Sequence, residues 1–225
     1  MQLMERIFPN IANKLPEFLE SFNQTIYMVA ISGGISIVFG LILGVLLIVT
    51  REDGILESIP VYSILDKLVN VFRTIPFVIL LVALIPLTRL IIGSAIGTEG
   101  ALVPLVFATV PFFARQVESA LAEMDQGLVE AAQSMGSSPL EIVVRVYLRE
   151  SIPNLIRAVT ITLISLLGLT AMAGAIGGGG LGDFAIRYGH QRNQVDATYA
   201  TVAVLIILVT LLQSFSNWIV RKTTH

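Results

Sequence analysis

The sequence predicts an all-α membrane protein of five transmembrane helices, N-terminus outside and C-terminus inside, with a polar cytoplasmic insert between helices three and four. Three observations carry that expectation. Of the 225 residues 55% are hydrophobic and 13% charged, and the mean hydropathy is +0.83, far more apolar than a soluble domain of this length. Long stretches lack Asp, Glu, Lys, Arg and His altogether. Between Leu128 and Pro153 the chain instead turns polar while keeping a helical pattern.

Residues 1–24 hold scattered charge, Pro9 and Pro16, and no apolar core ahead of a small-residue cleavage site. They read as an external N-terminal segment and not as a removable signal peptide. Residues 25–220 form the membrane domain, with spans expected at about 25–50, 68–88, 100–120, 153–173 and 196–220. Thr25–Thr50, Ala158–Gly182 and Ala197–Val220 are charge-free and exceed the roughly 20 residues that cross about 30 Å of hydrocarbon. Thr74–Thr88 and Gly100–Ala114 are shorter charge-free runs. Each becomes a workable span when Arg73, Arg89 or Arg115 at its ends reaches outward to the headgroups. Gly174–Gly182 is so rich in glycine that it is expected to leave the fourth helix as a loop. Pro76, Pro86, Pro104 and Pro111 are expected to kink helices whose freed carbonyls are satisfied by neighbours.

Sidedness follows from arginine and lysine. With the N-terminus outside, the inner segments hold nine, Arg51, Lys67, Arg73, Arg115, Arg145, Arg149, Arg157, Arg221 and Lys222, and the outer segments five, Arg6, Lys14, Arg89, Arg187 and Arg192. The positive-inside bias favours N-out, C-in. It places residues 125–152 in the cytoplasm and the glycine-rich segment Gly179, Gly180, Leu181 and Gly182 in an external loop. Cysteine is absent and the formal charge is −2, so disulfides and thiolate metal sites are excluded and no nucleic-acid partner is indicated.

The insert's local chemistry describes two short helices and a corner. Asp125 caps the first, and Glu130 lies in its early turns where negative charge suits the dipole. Gly136 fits the left-handed position that ends a helix. Ser138-Pro139-Leu140-Glu141 opens the second, with serine at the N-cap, proline at the first helical position and glutamate closing a capping box. Leu128, Val129, Ala132 and Met135 recur at helical spacing, giving one apolar face beside a small-residue surface at Ala131 and Ala132. A knob of that shape suits a groove in another protein.

No energy handle is found elsewhere. The charge-free runs that make up the spans contain no ionisable group on which a driving ion would act. His190 and His225 are the two histidines, and there is no His-Glu-x-x-His pair or phosphate-binding Gly-x-x-x-x-Gly-Lys loop. No cofactor or metal site is expected, and no catalytic residue. A membrane chain with a docking knob and no handle points to energy arriving through the knob.

A Glu-Ala-Ala triplet alone is ordinary helix composition. Here Glu130-Ala131-Ala132 is followed by three residues and Gly136, then by nine residues and Val146-Tyr147-Leu148. That arrangement resembles the signature of ATP-binding-cassette importer permeases. Asn70 to Phe77, Ile85 to Arg89, Ala171 to Gly174 and Gly179 to Gly182 are further similar to the methionine-importer members of that family, over roughly residues 20–220. Two departures stand out: Arg149 occupies a position where the family often has proline, with Pro153 four residues later, and Gly178 stands where alanine is expected.

The resemblance implies a non-catalytic subunit in a bacterial inner or plasma membrane, a permease for methionine, L- and also D-. Two copies would form the pathway. Two cytoplasmic ATPase subunits, which themselves bind the ATP, would dock on Glu130, Ala131, Ala132, Gly136, Ser138 and Glu141, and an extracytoplasmic binding protein would deliver substrate. Met172, a flexible thioether between small residues near the outer end of helix four, is a candidate for narrowing the pathway in the closed state. Three other readings stand beside this one: a permease for another amino acid, an ion-coupled transporter using backbone carbonyls, and an intramembrane aspartyl protease. The last rests on Gly180-Leu181-Gly182-Asp183 and needs a second membrane-embedded aspartate, which no span supplies.

Overall fold

The computed structural model describes residues 9–223, with side chains from residue 10 onward; Arg6 and His225 lie outside them. The ordered elements are helices: α1 (Pro9–Asn13), α2 (Leu15–Thr50), α3 (Ile59–Thr74), α4 (Phe77–Ala83), α5 (Ile85–Ile92), α6 (Gly97–Ala122), α7 (Gln126–Ser134), α8 (Pro139–Ile142), α9 (Leu148–Glu150), α10 (Ile152–Ala173), α11 (Gly180–Phe184) and α12 (Val195–Thr223). Wider π-type turns at Val143–Tyr147, Gly174–Gly178 and Ala185–His190 join some of them. Among the described residues four helices are long and apolar enough to cross a membrane: α2, α6, α10 with its continuation to Gly178, and α12.

Two of the expected spans differ in the structure, and the fourth lies within a residue of its expected start. The first long helix begins at Leu15, so residues 15–24, expected outside the domain, are its first turns. The fourth begins at Ile152, with Pro153 in the first turn where its missing N–H is harmless. The span expected over 68–88 is not one helix. Pro76 biases Ile75 away from helix, and Ile75 is extended at φ −75°, ψ 122°. The chain then makes two short pieces, with Leu84 turned at φ −88°, ψ 1° and Pro86 in the first turn of α5. Pro104 and Pro111, by contrast, lie inside the unbroken α6.

The residues pack as two compact units. The first takes the described part of Met1–Gly34 together with Pro76–Phe107 and Leu163–Gln213. Its core gathers Ile11, Phe18, Leu181, Phe184, Tyr188 and Ala197. Phe18 meets Phe184 edge-on with ring centres 5.1 Å apart, a geometry that aligns ring edge with ring face. The backbone N–H and side-chain amide of Asn10 donate to the Asp196 carboxylate at 2.9 and 2.8 Å, tying α1 to the start of α12.

The second unit takes Ile35–Ile75, Ala108–Thr162 and the described part of Ser214–His225. Its core joins the end of α2 (Ile48, Val49), the second half of α6 (Phe113, Val117, Leu121) and the polar insert (Val129, Ala132, Ile142, Tyr147). Gly40 and Gly44, one turn apart, let α2 approach α6 closely. A Cβ on Gly44 would lie 2.7 Å from the Ala114 carbonyl oxygen, the contact that small residues four apart permit between membrane helices.

Candidate functional site

The polar insert, wholly within the second unit, forms the corner its sequence describes. Asp125 is the N-cap of α7, and its carboxylate accepts from the Gly127 N–H at 2.9 Å. The helix closes on Gly136 at φ 80°. There the Ser137 N–H reaches the Ala132 carbonyl at 3.1 Å and the Gly136 N–H the Gln133 carbonyl at 2.9 Å, the paired bonds of a Schellman motif. At the start of α8 the Ser138 hydroxyl accepts from the Glu141 N–H at 3.4 Å, while the Glu141 carboxylate accepts from the Ser138 N–H at 2.9 Å and from its hydroxyl at 2.8 Å. Those bonds, the backbone one first, hold the Glu141 carboxyl below the usual glutamate range, and Arg145 at 3.7 Å adds to the effect.

The apolar face of α7 is divided. Val129 and Ala132 are each 5% exposed and enter the core, whereas Leu128 and Met135 are exposed, Met135 by 79%. Ala132 therefore supports the corner from beneath and is not part of its outward surface, a correction to the small-residue face expected from both alanines. Its helical position points it toward the same core as Ile142 and Tyr147. Glu130, Ala131, Gly136, Ser138 and Glu141 are exposed, as is Leu140. Arg149 lies exposed on α9, and the helical path of the insert breaks at Ser151, which turns at φ −90°, ψ 7°. That break sets the far boundary.

The glycine-rich segment departs from its expected form. Of the four expected loop residues Gly179 alone is non-helical, at φ 74°, ψ −164°; Gly180, Leu181 and Gly182 are buried in the helix Gly180–Phe184 and not in a loop. The hinge lies just before, at Ile176 (φ −118°, ψ 26°) and Gly177 (φ 92°, ψ 14°). The physical reason is close packing. A Cβ on Gly174 would lie 2.5 Å from the Asp183 nitrogen, and one on Gly182 would overlap the Ala171 carbonyl. The opening donors of α11 are capped by α2: Gln24 Oε1 accepts from the Gly180 N–H and Thr25 Oγ1 from the Leu181 N–H, both at 2.8 Å. Met172 sits half exposed on the last turn of α10 beside the fully buried Ala173.

Asp183 pairs with Arg187 at 2.9 Å. The polar cavity of about 450 Å³ beside it is lined by Glu17 and Glu20 but by no second aspartate. The two-carboxylate arrangement of an aspartyl protease is not built there.

A charged cluster in the second unit was missed by the sequence reading. Arg115, expected to reach outward to headgroups, turns instead onto α3 and along α6. Its guanidinium donates to Asp66 at 2.5 Å, to Glu118 at 2.6 Å and to the Asn70 carbonyl at 3.2 Å, and the Tyr62 hydroxyl meets Glu118 at 3.4 Å. Glu118 is 8% exposed. An arginine therefore finds carboxylates in reach and stays with them, because one terminal nitrogen makes a charge-assisted bond to Glu118 and the other to Asp66. The signal available in the sequence was the Arg115–Glu118 spacing of three.

Comparison with known proteins places this architecture. The sequence profile described as the inner membrane component of binding-protein-dependent transport systems matches residues 36–225. A Vibrio cholerae protein named as a probable D-methionine transport system permease is 50% identical over 202 residues, 90% of each chain. A Bacillus subtilis methionine import system permease is 41% identical over 217 residues, 96% of this chain and 97% of that one. Among solved structures, the inward-facing MetNI methionine ABC transporter superposes with a TM-score of 0.90 at 42% identity, covering 95% of this chain and 99% of that one. By that profile and these relatives the chain belongs to the binding-protein-dependent transport system inner membrane components, as a non-catalytic, multi-pass membrane subunit.

Proposed function

We propose that the chain is the permease subunit of a methionine importer, carrying L- and D-methionine as a homodimer. The observation that carries the reading is the capped corner at α7–α8, a rigid polar surface of Glu130, Ala131, Gly136, Ser138 and Glu141 with Met135 and Leu140 exposed among them. On this reading residues 125–152 are the cytoplasmic coupling region of a membrane domain spanning 25–220, each corner seats in one of two ATPase subunits that bind the ATP, and the permease itself needs no cofactor. An extracytoplasmic binding protein delivers substrate. The names of the relatives at 50% and 41% identity support methionine as cargo.

Five crossings with the N-terminus outside fit the arginine and lysine distribution, the fifth being the broken pair α4–α5. Two copies related by symmetry offer two identical corners to two ATPases. Closure of the ATPase pair then shifts the helices between inward and outward states, each nucleotide state favouring one population. Met172 narrows the pathway in the closed state.

The test is uptake of radiolabelled methionine into proteoliposomes holding the permease with its ATPase and binding protein. Uptake is expected only with ATP and only with the binding protein. Uptake driven by an ion gradient without ATP would refute the importer reading, and ATP-dependent uptake of another amino acid in place of methionine would correct the cargo. In the same assay G136V is expected to uncouple hydrolysis from uptake while leaving membrane insertion intact. Gly136 has open space for a side chain but φ 80°, and a β-branched residue there costs about 1–2 kcal/mol. Normal uptake by that variant would remove the corner from the coupling path.

A further inference from the structure

The insert is joined to α6 by a short connection: α6 ends at Ala122 and α7 begins at Gln126. It also shares a core with α6 through Val117 and Leu121 against Val129 and Ala132. A displacement of the corner therefore bears directly on the last turns of α6, as it does on the other helices of that core. On those turns stand Arg115 and Glu118, and across from them Asp66, Asn70 and Tyr62 of α3.

We propose that Arg115 is a positioning residue that clamps α3 to the end of α6, so that movement of the coupling corner is carried into α3. The inference rests on the corner being the coupling region. Its geometry suits a clamp and not a general adhesive. Arg115 reaches α3 through one nitrogen of its fork, which meets Asp66 at 2.5 Å and Asn70 at 3.2 Å, and braces itself on its own helix through the other, which meets Glu118 at 2.6 Å. The fork geometry fixes direction as well as distance, which a lysine point charge does not. The three charges sit at 11–29% side-chain exposure, shielded enough for the ion pairs to resist salt. Beneath them Val69, the one fully buried residue of α3, packs against Leu47 and Ala114 with Leu43, Tyr62 and Leu65 at the edge. The polar bonds give the α3–α6 contact its direction.

A clamp and a passive stabiliser differ in what they change. The experiment compares the parent complex with R115Q, R115K and D66N, each reconstituted with ATPase and binding protein, reading methionine taken up per ATP hydrolysed alongside thermal unfolding. R115Q and D66N are expected to lower uptake per ATP by about tenfold while hydrolysis continues, and the double variant to be no worse than either single, as befits one shared interaction. R115K, which keeps the charge and loses the fork, is expected to recover only part of the ratio. An unchanged ratio in the assembled R115Q and D66N complexes would overturn the clamp, and so would failure of all three variants to assemble, which would assign the cluster to folding. A parent complex that takes up methionine without ATP would instead overturn the importer reading itself.

Discussion

The capped corner and the glycine-rich segment are both short helical detours, yet they hold their shape by opposite means. In the corner the capping bonds are made by residues a few positions away: Asp125 to Gly127, Ser137 to Ala132, Ser138 and Glu141 to each other. In the glycine segment the opening donors of α11 are met by Gln24 and Thr25, 156 positions distant in the chain. Glycine serves there to let backbones touch. Local caps fix a shape that survives changes elsewhere, whereas distant caps make a shape conditional on the fold around it.

That contrast breaks first at Gly182. G182V drives a branched side chain into the Ala171 backbone, which cannot withdraw, and is expected to destabilise the first unit by about 3 kcal/mol, at the upper end for overpacking; a thermal unfolding midpoint equal to the parent's would refute the close-packing account. T25V keeps the volume but removes the acceptor for the buried Leu181 N–H. A loss of about 2 kcal/mol is expected, seen as faster amide exchange across residues 180–184 and leaving residues 126–142 unchanged. Exchange rising in both segments would show that the distant cap is not specific to α11.

The smallest effect is expected at the corner's own cap. S138A should loosen α8 by about 1 kcal/mol without disturbing residues 180–184. The accompanying pH dependence has a definite sign. Glu141 is bound more tightly as the carboxylate in the folded corner, so its folded pKa lies below the unfolded value. Its contribution is present above the unfolded pKa and is lost as pH falls through the lowered one. Carbon-detected titration of Glu141 should give a midpoint below that of an exposed glutamate, and S138A should move it back up. A midpoint at the ordinary value in the parent would remove the capping box as the cause.

The same contrast explains what the sequence revealed. Caps and turns are legible because their partners are near neighbours, and the corner was readable to the residue at Asp125, Gly136, Ser138 and Glu141. Long apolar runs locate α2, α6, α10 and α12 because bilayer thickness fixes their length. Hydropathy is blind to direction, however, and Thr74–Thr88 remains apolar while Pro76 and the turn at Leu84 break it into pieces. The glycine run was misread because its structure is determined by Ala171, Asp183 and α2. Arg115 was misread because carboxylates on two helices decide its direction, and only Glu118 lies close in sequence. Ala132 shows the limit of periodicity: spacing marks it as apolar, but packing decides whether that face looks inward.

The corner divides its residues between two duties, and that division bears on how such a subunit changes partners over time. Asp125, Gly136, Ser138 and Glu141 set the backbone, and Val129 and Ala132 anchor it, whereas Ala131, Met135 and Leu140 face outward with little structural obligation. Substitutions at the outward three alter what is offered to a neighbour while the scaffold beneath keeps its geometry. On the proposed docking role, a lineage can therefore retune recognition in single steps without passing through a misfolded intermediate, and compensating changes in the docked partner need only follow the surface.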